Sequence, residues 1–444
     1  MTLAELRGSL ERGSAFLDFL VHPLYEPAQP EREKVIRKGK WGSDHLSAYV
    51  VRPDRGLVHV DLGIAAPIEA EVKNWLEESV SRRGVAAEKE VGEGGAKLLQ
   101  LLWQPLAARL DGVQRIFLRP DSFLGTLPFE VIPLEGGKYL IEEKSFVYVQ
   151  TLLDLVERRE RSIDGPSSLL VGGGIDFKKR AGLEKEAVEN SPIAASATCG
   201  DALRGRLDRF WSKLPHTESE AQTVSDLHET AFADGKRLFL SAEAPTEERL
   251  KQELPRYSVA HLATHGFFNP EGTVSMWDSA QEEVEKDRLM DLEHETRALV
   301  GQLPGLLTGL VCAGANEPAP AGRDDGLLTA EEVLWLDLSK VELVVLSACE
   351  TALGERRSGE GMIGLRRAFG LAGAKTVISS LWSVKDRSTS ELMQRFYENL
   401  WLKRQGRAEA LRNAQLELLA RNRATEHDAL PSTWGAFVLS GDWR

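Results

Sequence analysis

The sequence predicts an α/β protein: a mainly parallel sheet with helices on both faces, preceded by an α/β subdomain of its own. Three observations predict it. Beyond residue 164, apolar runs such as "SLLVGGG", "YSVAHLATHG", "VELVVLSA" and "KTVISSLW" alternate with amphipathic segments. Strands buried on both faces read as continuous apolar runs of this kind. A polar stretch, "ERRERSIDGPSS" at 157–168, separates them from an N-terminal part with hairpin character. The expected domains are therefore 1–163, an N-terminal α/β subdomain, and 164–444, the main α/β domain.

The N-terminal part reads as strands at 14–21, 46–51 and 57–62. "RPDRG" between the last two is a turn, so they form a hairpin. "PIEAEVKNWLEESVSRRG" follows as a helix, with Pro67 at its first position and Gly84 at its end. Ile68, Val72, Trp75, Leu76 and Val80 make its apolar stripe. A second helix over roughly 93–110 leads to the strand "RIFLRPD", and 139–154 continues as strand and short helix.

In the second part "TESEAQTVSDLHET" is a helix opened by a capping box, Thr217 with Glu220. "RLFLSAEA" is a strand, and "TEERLKQEL" a helix capped by Thr246. "TAEEVLWL" carries a second box, Thr329 with Glu332. "MIGLRRAFGLAG" is a helix stopped at Gly373, and Ser388 with Glu391 boxes a long helix. Two irregular stretches, 178–216 and 266–323, exceed the ~15 residues usual for loops in compact domains. The second contains a helical segment at 281–300 and an apolar piece, "LLTGLVCAGA".

Composition excludes several classes. A net charge of -13 argues against nucleic acid and against an anionic membrane surface. Cys199, Cys312 and Cys349 are the three cysteines, too widely spaced for a disulfide framework and without a CxxC. The N-terminus has no apolar signal region, and no apolar run approaches the ~20 residues that span a bilayer. The chain reads as cytoplasmic, with reduced thiols. "HLATH" holds His261 and His265 four residues apart. On a strand that is ~13 Å, too far for one metal. His261 is read as a packed strand residue, and no metal is expected. "VGGGIDF" lacks the GxGxxG spacing, so its glycines are read as a tight strand exit. No GxSxG occurs, and no cofactor is expected.

Ligands in parallel sheets sit beyond the carboxyl ends of the strands. Two predicted strands end in reactive groups: "SVAHLATHG" at His265 and Gly266, and "LVVLSAC" at Cys349. A free thiol has pKa ~8.5, and a neighbouring imidazole raises its thiolate fraction. The N–H groups of Gly266 and Cys349 are candidates for an oxyanion hole. Cys312, inside an apolar run, is read as core.

These segments resemble a known family. "HLATHGFF", "DDGLLTAEEV", "VVLSACETALGE", "GEGMIGLRRAFGLAGAKTVISSLWSVKD" and "WGAFVLSGD" are similar to CHAT-domain proteins, caspase-like cysteine peptidases often fused to tetratricopeptide repeats. Weaker similarity runs through "LRPDSFLGTLPFEVIPL" and "LLVGGGIDF". The resemblance implies a caspase-like fold with His265 and Cys349 as a catalytic dyad. It also implies a cysteine endopeptidase switched on by a partner, in bacterial defence or signalling. The expected partners are a protein substrate and a regulatory protein. The caspase pentapeptide is absent, and 84 residues separate His265 from Cys349. Residues 271–303 look inserted, no repeat array is present, and the subdomain 1–163 is expected to be non-catalytic. An acid in the loop after the next strand reads Arg in related peptidases. Asp386, with Glu350 and Ser383 nearby, is the candidate here, and capping of the following helix is its other explanation. The residues alone leave open a non-catalytic caspase-like scaffold and an acyl-transfer enzyme acting on non-peptide substrates.

Overall fold

The computed structural model describes residues 2–26, 40–81, 95–150, 152–156, 167–179, 211–268, 308–317, 324–348, 354–357, 361–382, 386–425 and 430–444. In chain order the first elements are α1 (Leu3–Ser9), β1 (Ser14–Glu26), β2 (Lys40–Arg52), β3 (Gly56–Ile64), α2 (Ala65–Ser81), β4 (Arg115–Arg119), β5 (Ser145–Tyr148) and β6 (Leu169–Ile175). Next come α3 (Thr217–Ala231), β7 (Arg237–Ala242), α4 (Glu247–Glu253), β8 (Val259–Ala263), β9 (Gly266–Phe268), β10 (Thr308–Val311), β11 (Leu327–Thr329), α5 (Ala330–Leu334) and β12 (Leu343–Ser347). The last are β13 (Gly354–Arg357), β14 (Gly361–Gly364), α6 (Leu365–Leu371), β15 (Thr376–Ser380), α7 (Asp386–Tyr397), α8 (Arg407–Thr425) and β16 (Phe437–Gly441). The chain divides into two compact units. One comprises Met1–Arg161, Arg356–Met362 and Gly406–Arg444, the other Ser162–Glu355 and Ile363–Gln405.

In the first unit the strands lie in the order β3-β2-β1-β4-β5-β16. β2 and β3 form the expected antiparallel hairpin, and β1 pairs antiparallel with β2 and parallel with β4. α2 begins two residues ahead of Pro67 and buries Ile68, Val72 and Trp75. Full burial of the two aliphatic side chains contributes roughly 1.5–3 kcal/mol each. Gly406–Arg444, which the sequence reading assigned to the second domain, clusters with the first. β16 pairs in parallel with β5 at Ser440↔Tyr148. Arg412 of α8 donates to the carbonyls of Ile141 and Lys144, at 2.9 and 3.2 Å.

In the second unit β15-β12-β8-β6-β7 run parallel throughout. β9, β10 and β11 make a separate antiparallel sheet. β8 shows why helices cover both faces of the parallel sheet. Ala260 and Leu262 join a core with Leu250 of α4, Val333 of α5 and Phe369 of α6. His261 points the other way, to Glu220 of α3 and Tyr397 of α7. Successive strand residues face opposite sides, and both sides are apolar enough to need a cover.

Three predicted helix starts change. Thr217 and Glu220 do not form a capping box. Thr217 Oγ1 instead accepts the Gly174 N–H at 3.0 Å and donates to the Leu214 carbonyl, while Glu220 is buried against His261. α7 begins at Asp386, ahead of Ser388, so Ser388 lies inside the helix and Glu391 pairs with Arg395 at 3.1 Å. Gly361–Gly364 is strand, and α6 starts only at Leu365 after an extended Gly364. The boxes at Thr329 and the cap at Thr246 are present as expected. The glycines of "VGGGIDF" seat α3: a Cβ at Gly173 would lie 2.2 Å from the Thr217 carbonyl oxygen, and Gly174 has φ +65°. That space is filled by helix backbone, which accounts for the glycine run without a phosphate.

Candidate active site

The parallel sheet of the second unit has strand order 2-1-3-4-5, counting β6, β7, β8, β12 and β15 in sequence. The direction of progression reverses between β6 and β8, and ligand sites of open α/β sheets lie beyond the carboxyl ends at such a point. His265 stands there. β8 ends at Ala263, which pairs with Ser347 of β12. Thr264 then ties the exit down on two sides. Its N–H donates to the Ser347 carbonyl at 3.2 Å, and its Oγ1 donates to the Val311 carbonyl at 2.6 Å. The His265 carbonyl accepts from Val311 N–H at 2.9 Å. The backbone on both sides of the imidazole is therefore fixed.

The ring itself is partly exposed and meets two tilted aromatic rings. Phe177, just beyond β6, lies 5.1 Å from it between centroids, and Trp211 5.3 Å. His265 Nε2 is 2.7 Å from the backbone carbonyl of Ser212. A carbonyl only accepts, so Nε2 carries the proton and Nδ1 is the basic nitrogen of the neutral ring. That is the state a general base requires.

Gly266 pairs with Leu310 across β9 and β10. Antiparallel ladders alternate hydrogen-bonded and non-bonded pairs. Since Val311 N–H goes to the His265 carbonyl, the Gly266 position is non-bonded and its N–H points away from β10, to the outer edge of β9. Cys349, Glu350 and Ser383 lie outside the described residues. The chain leading to Cys349 is described as far as Ala348, whose buried carbonyl accepts from Ser380 Oγ of β15. Asp386 is the first residue of α7. Near the ends of β12 and β15, Ser347 Oγ and Trp382 Nε1 are buried without a hydrogen-bond partner among the described residues.

The other sequence candidates fall into place by burial. Cys312 is fully buried, and burial pushes its thiol well above the ordinary value, so it is core and unreactive. Cys199 lies outside the described residues, as does 281–300. His261 is fully buried and bonded to Glu220 at 2.9 Å and Tyr397 at 3.2 Å, a satisfied core histidine. Among the described residues no group of three His, Cys, Asp or Glu could hold a metal ion, and no helix is long and apolar enough to cross a membrane. Sequence reasoning missed Phe177, Trp211, Ser212 and Asn316, the last described below. They sit 53 to 105 residues from their partners, in stretches without periodicity.

Tetratricopeptide repeat protein 28 of Mus musculus is 29% identical over 273 residues, 56% of this chain and 10% of that protein. The Homo sapiens protein of the same name is 28% identical over 276 residues, 57% of this chain and again 10% of its own length. The chain thus matches about a tenth of these relatives. Among solved structures, the Saccharomyces cerevisiae separase–securin complex aligns with a TM-score of 0.50 at 10% identity, covering 99% of this chain and 31% of that one. At that identity the likeness shows the fold, a caspase-like mainly parallel sheet with helices. The family model described as "CHAT domain" matches residues 93–442, and the chain belongs to the CHAT domain family.

Proposed function

We propose that the protein is a cysteine endopeptidase with a His265/Cys349 dyad, acting in the cytoplasm and activated by a regulatory protein or ligand in a defence or signalling setting. One observation carries the reading. β8 and β12 are adjacent parallel strands paired at Ala263↔Ser347, and His265 and Cys349 each follow two residues later. The fixed Nε2–H of His265 supports it, because it leaves Nδ1 as the base.

The mechanism follows from those groups. The Cys349 thiolate attacks the scissile carbonyl carbon, and the peptide C–N bond breaks from the tetrahedral intermediate. His265 takes the thiol proton and delivers it to the leaving amine. The N–H groups of Gly266 and Cys349 bind the oxyanion. Water then hydrolyses the thioester, returning the thiol. Asp386, with Glu350 and Ser383, contacts a basic side chain before the cut. The first unit acts as a support without catalysis.

The test is cleavage of a proteome-derived peptide library by the wild type and by Cys349→Ala, with cut sites read by mass spectrometry. Cleavage is expected to fall by roughly 10³-fold or more in the variant, with unchanged thermal stability. Cuts after Arg that are lost in Asp386→Asn support the specificity reading, and cuts after apolar residues refute it. Equal cleavage by Cys349→Ala refutes the peptidase. No cleavage by the wild type, even with cell lysate added, favours a caspase-like interaction scaffold.

A further inference from the structure

We propose that Asn316 is a positioning residue for His265, an inference that rests on His265 and Cys349 acting as a pair. The Ser212 carbonyl that orients the imidazole belongs to a stretch, 211–214, without helix or strand. A loop carbonyl makes a poor anchor unless the chain leading to it is held. Asn316 holds the residue before it, Trp211. Trp211 N–H donates to Asn316 Oδ1 at 2.9 Å, and Asn316 Nδ2 donates to the Trp211 carbonyl at 2.9 Å. The side-chain amide acts as one rung of a strand, supplying an acceptor and a donor to the two backbone groups of a single residue.

Asn316 is fixed in turn. Its own N–H donates to the Phe177 carbonyl at 2.8 Å, and Gly314 N–H donates to the Asp176 carbonyl at 3.1 Å. Phe177, Ala315 and Phe267 share a buried cluster on which Trp211 packs. The described contacts of the His265 ring include the tilted rings of Phe177 and Trp211 and the Ser212 carbonyl. Each comes from a residue that Asn316 bonds, or from the residue next to one. Asn316 reaches Phe177 through its backbone N–H and Trp211 through its side-chain amide.

Removing the amide frees the Trp211–Ser212 peptide to turn. His265 then loses the partner that keeps the proton on Nε2, and Nδ1 is no longer dedicated to the thiol. A group that orients a base is expected to affect chemistry rather than substrate binding. Asn316→Ala loses both bonds. Asn316→Asp keeps the acceptor for Trp211 N–H but sets a carboxylate oxygen against the Trp211 carbonyl.

The experiment is the pH dependence of iodoacetamide alkylation at Cys349, read on the Cys349 peptide by mass spectrometry, in the full chain. Wild type, His265→Ala, Asn316→Ala and Asn316→Asp are compared, with thermal melting alongside. Wild type is expected to react well below the ~8.5 of a free thiol. His265→Ala moves the profile up. Asn316→Ala moves it the same way, with alkylation at pH 6.5 slowed about tenfold, the equivalent of one pKa unit. A folded Asn316→Ala with the wild-type profile, beside a shifted His265→Ala, overturns the role of Asn316 and leaves the dyad standing. Identical profiles for wild type and His265→Ala overturn the dyad itself, and the proposal with it. If Asn316→Ala fails to fold, Asn316→Asp decides: a shift supports the proposal and a wild-type profile overturns it.

Discussion

His228 is fully buried, with Nε2 3.1 Å from Ser167 Oγ and its ring edge-on to Trp401. Burial first, and Arg237 second, push its pKa down from 6.5 to about 4. The unfolded chain binds a proton between those values that the folded chain refuses. Stability therefore falls as pH drops from about 6.5 to about 4. His228→Gln removes that titration. Urea unfolding is expected to show the wild type losing on the order of 1–2 kcal/mol more than the variant across this window, after allowance for screening of the charged form. The same residue type serves differently at 261 and 265, four positions apart, and only part of that difference was legible. An apolar strand with a histidine in its middle and another at its end reads correctly as core and rim. The groups that orient His265 do not read at all, because Ser212 contributes a backbone carbonyl, which any residue type supplies.

At the scale of elements, two identical local signatures had opposite outcomes. Thr329 and Glu332 form their box: the hydroxyl accepts the Glu332 N–H at 3.3 Å, and the threonine N–H reaches Glu332 Oε2 at 2.9 Å. Thr217 and Glu220 have the same spacing, yet Gly174 and His261 lie close enough to claim both side chains. Capping is worth about 1 kcal/mol. A buried carboxylate without its partner costs more, so the tertiary arrangement wins and the local pattern misleads. Glu332 also belongs to a larger group. Lys251 of α4 lies 2.6 Å from Glu247, 2.8 Å from Glu332 and 3.3 Å from Asp324, and Glu247 accepts Gly326 N–H at 2.8 Å. Burial first, then the charge of Glu332, raise Glu247 from 4.5 to about 8. A carboxyl raised in this way holds its proton more tightly folded than unfolded. Its contribution to stability therefore weakens as pH rises from about 4.5 to about 8. Glu247→Gln keeps an acceptor for Gly326. It is expected to lose less stability between pH 5 and pH 8 than the wild type, by on the order of 2 kcal/mol in urea unfolding.

For the molecule as a whole, alternation of strand and helix made the parallel sheet legible, and the polar stretch at 157–168 lies where the two units divide. The membership of the last segment was not legible, because pairing of β16 with β5 joins Ser440 to Tyr148 across nearly three hundred residues. A fragment ending at residue 163 lacks α8 and β16. It also lacks Gln415, which bonds the carbonyls of Trp434 and Phe437, and Arg423, which pairs with Glu142 at 2.8 Å. Such a fragment is expected to show no cooperative urea transition by circular dichroism, and addition of a 406–444 peptide is expected to restore one. A cooperative transition in the fragment alone would contradict this account of the first unit.

The split of that unit also sets a timetable for synthesis. About 245 residues separate Arg161 from Gly406. At ~5–20 residues per second they take the ribosome roughly 12–50 s to add. Through that interval the nascent β5 edge and the apolar face that α8 covers stand open to chaperones. β8 and β12, the strands that lead to His265 and Cys349, emerge during the same wait, before β16 is made.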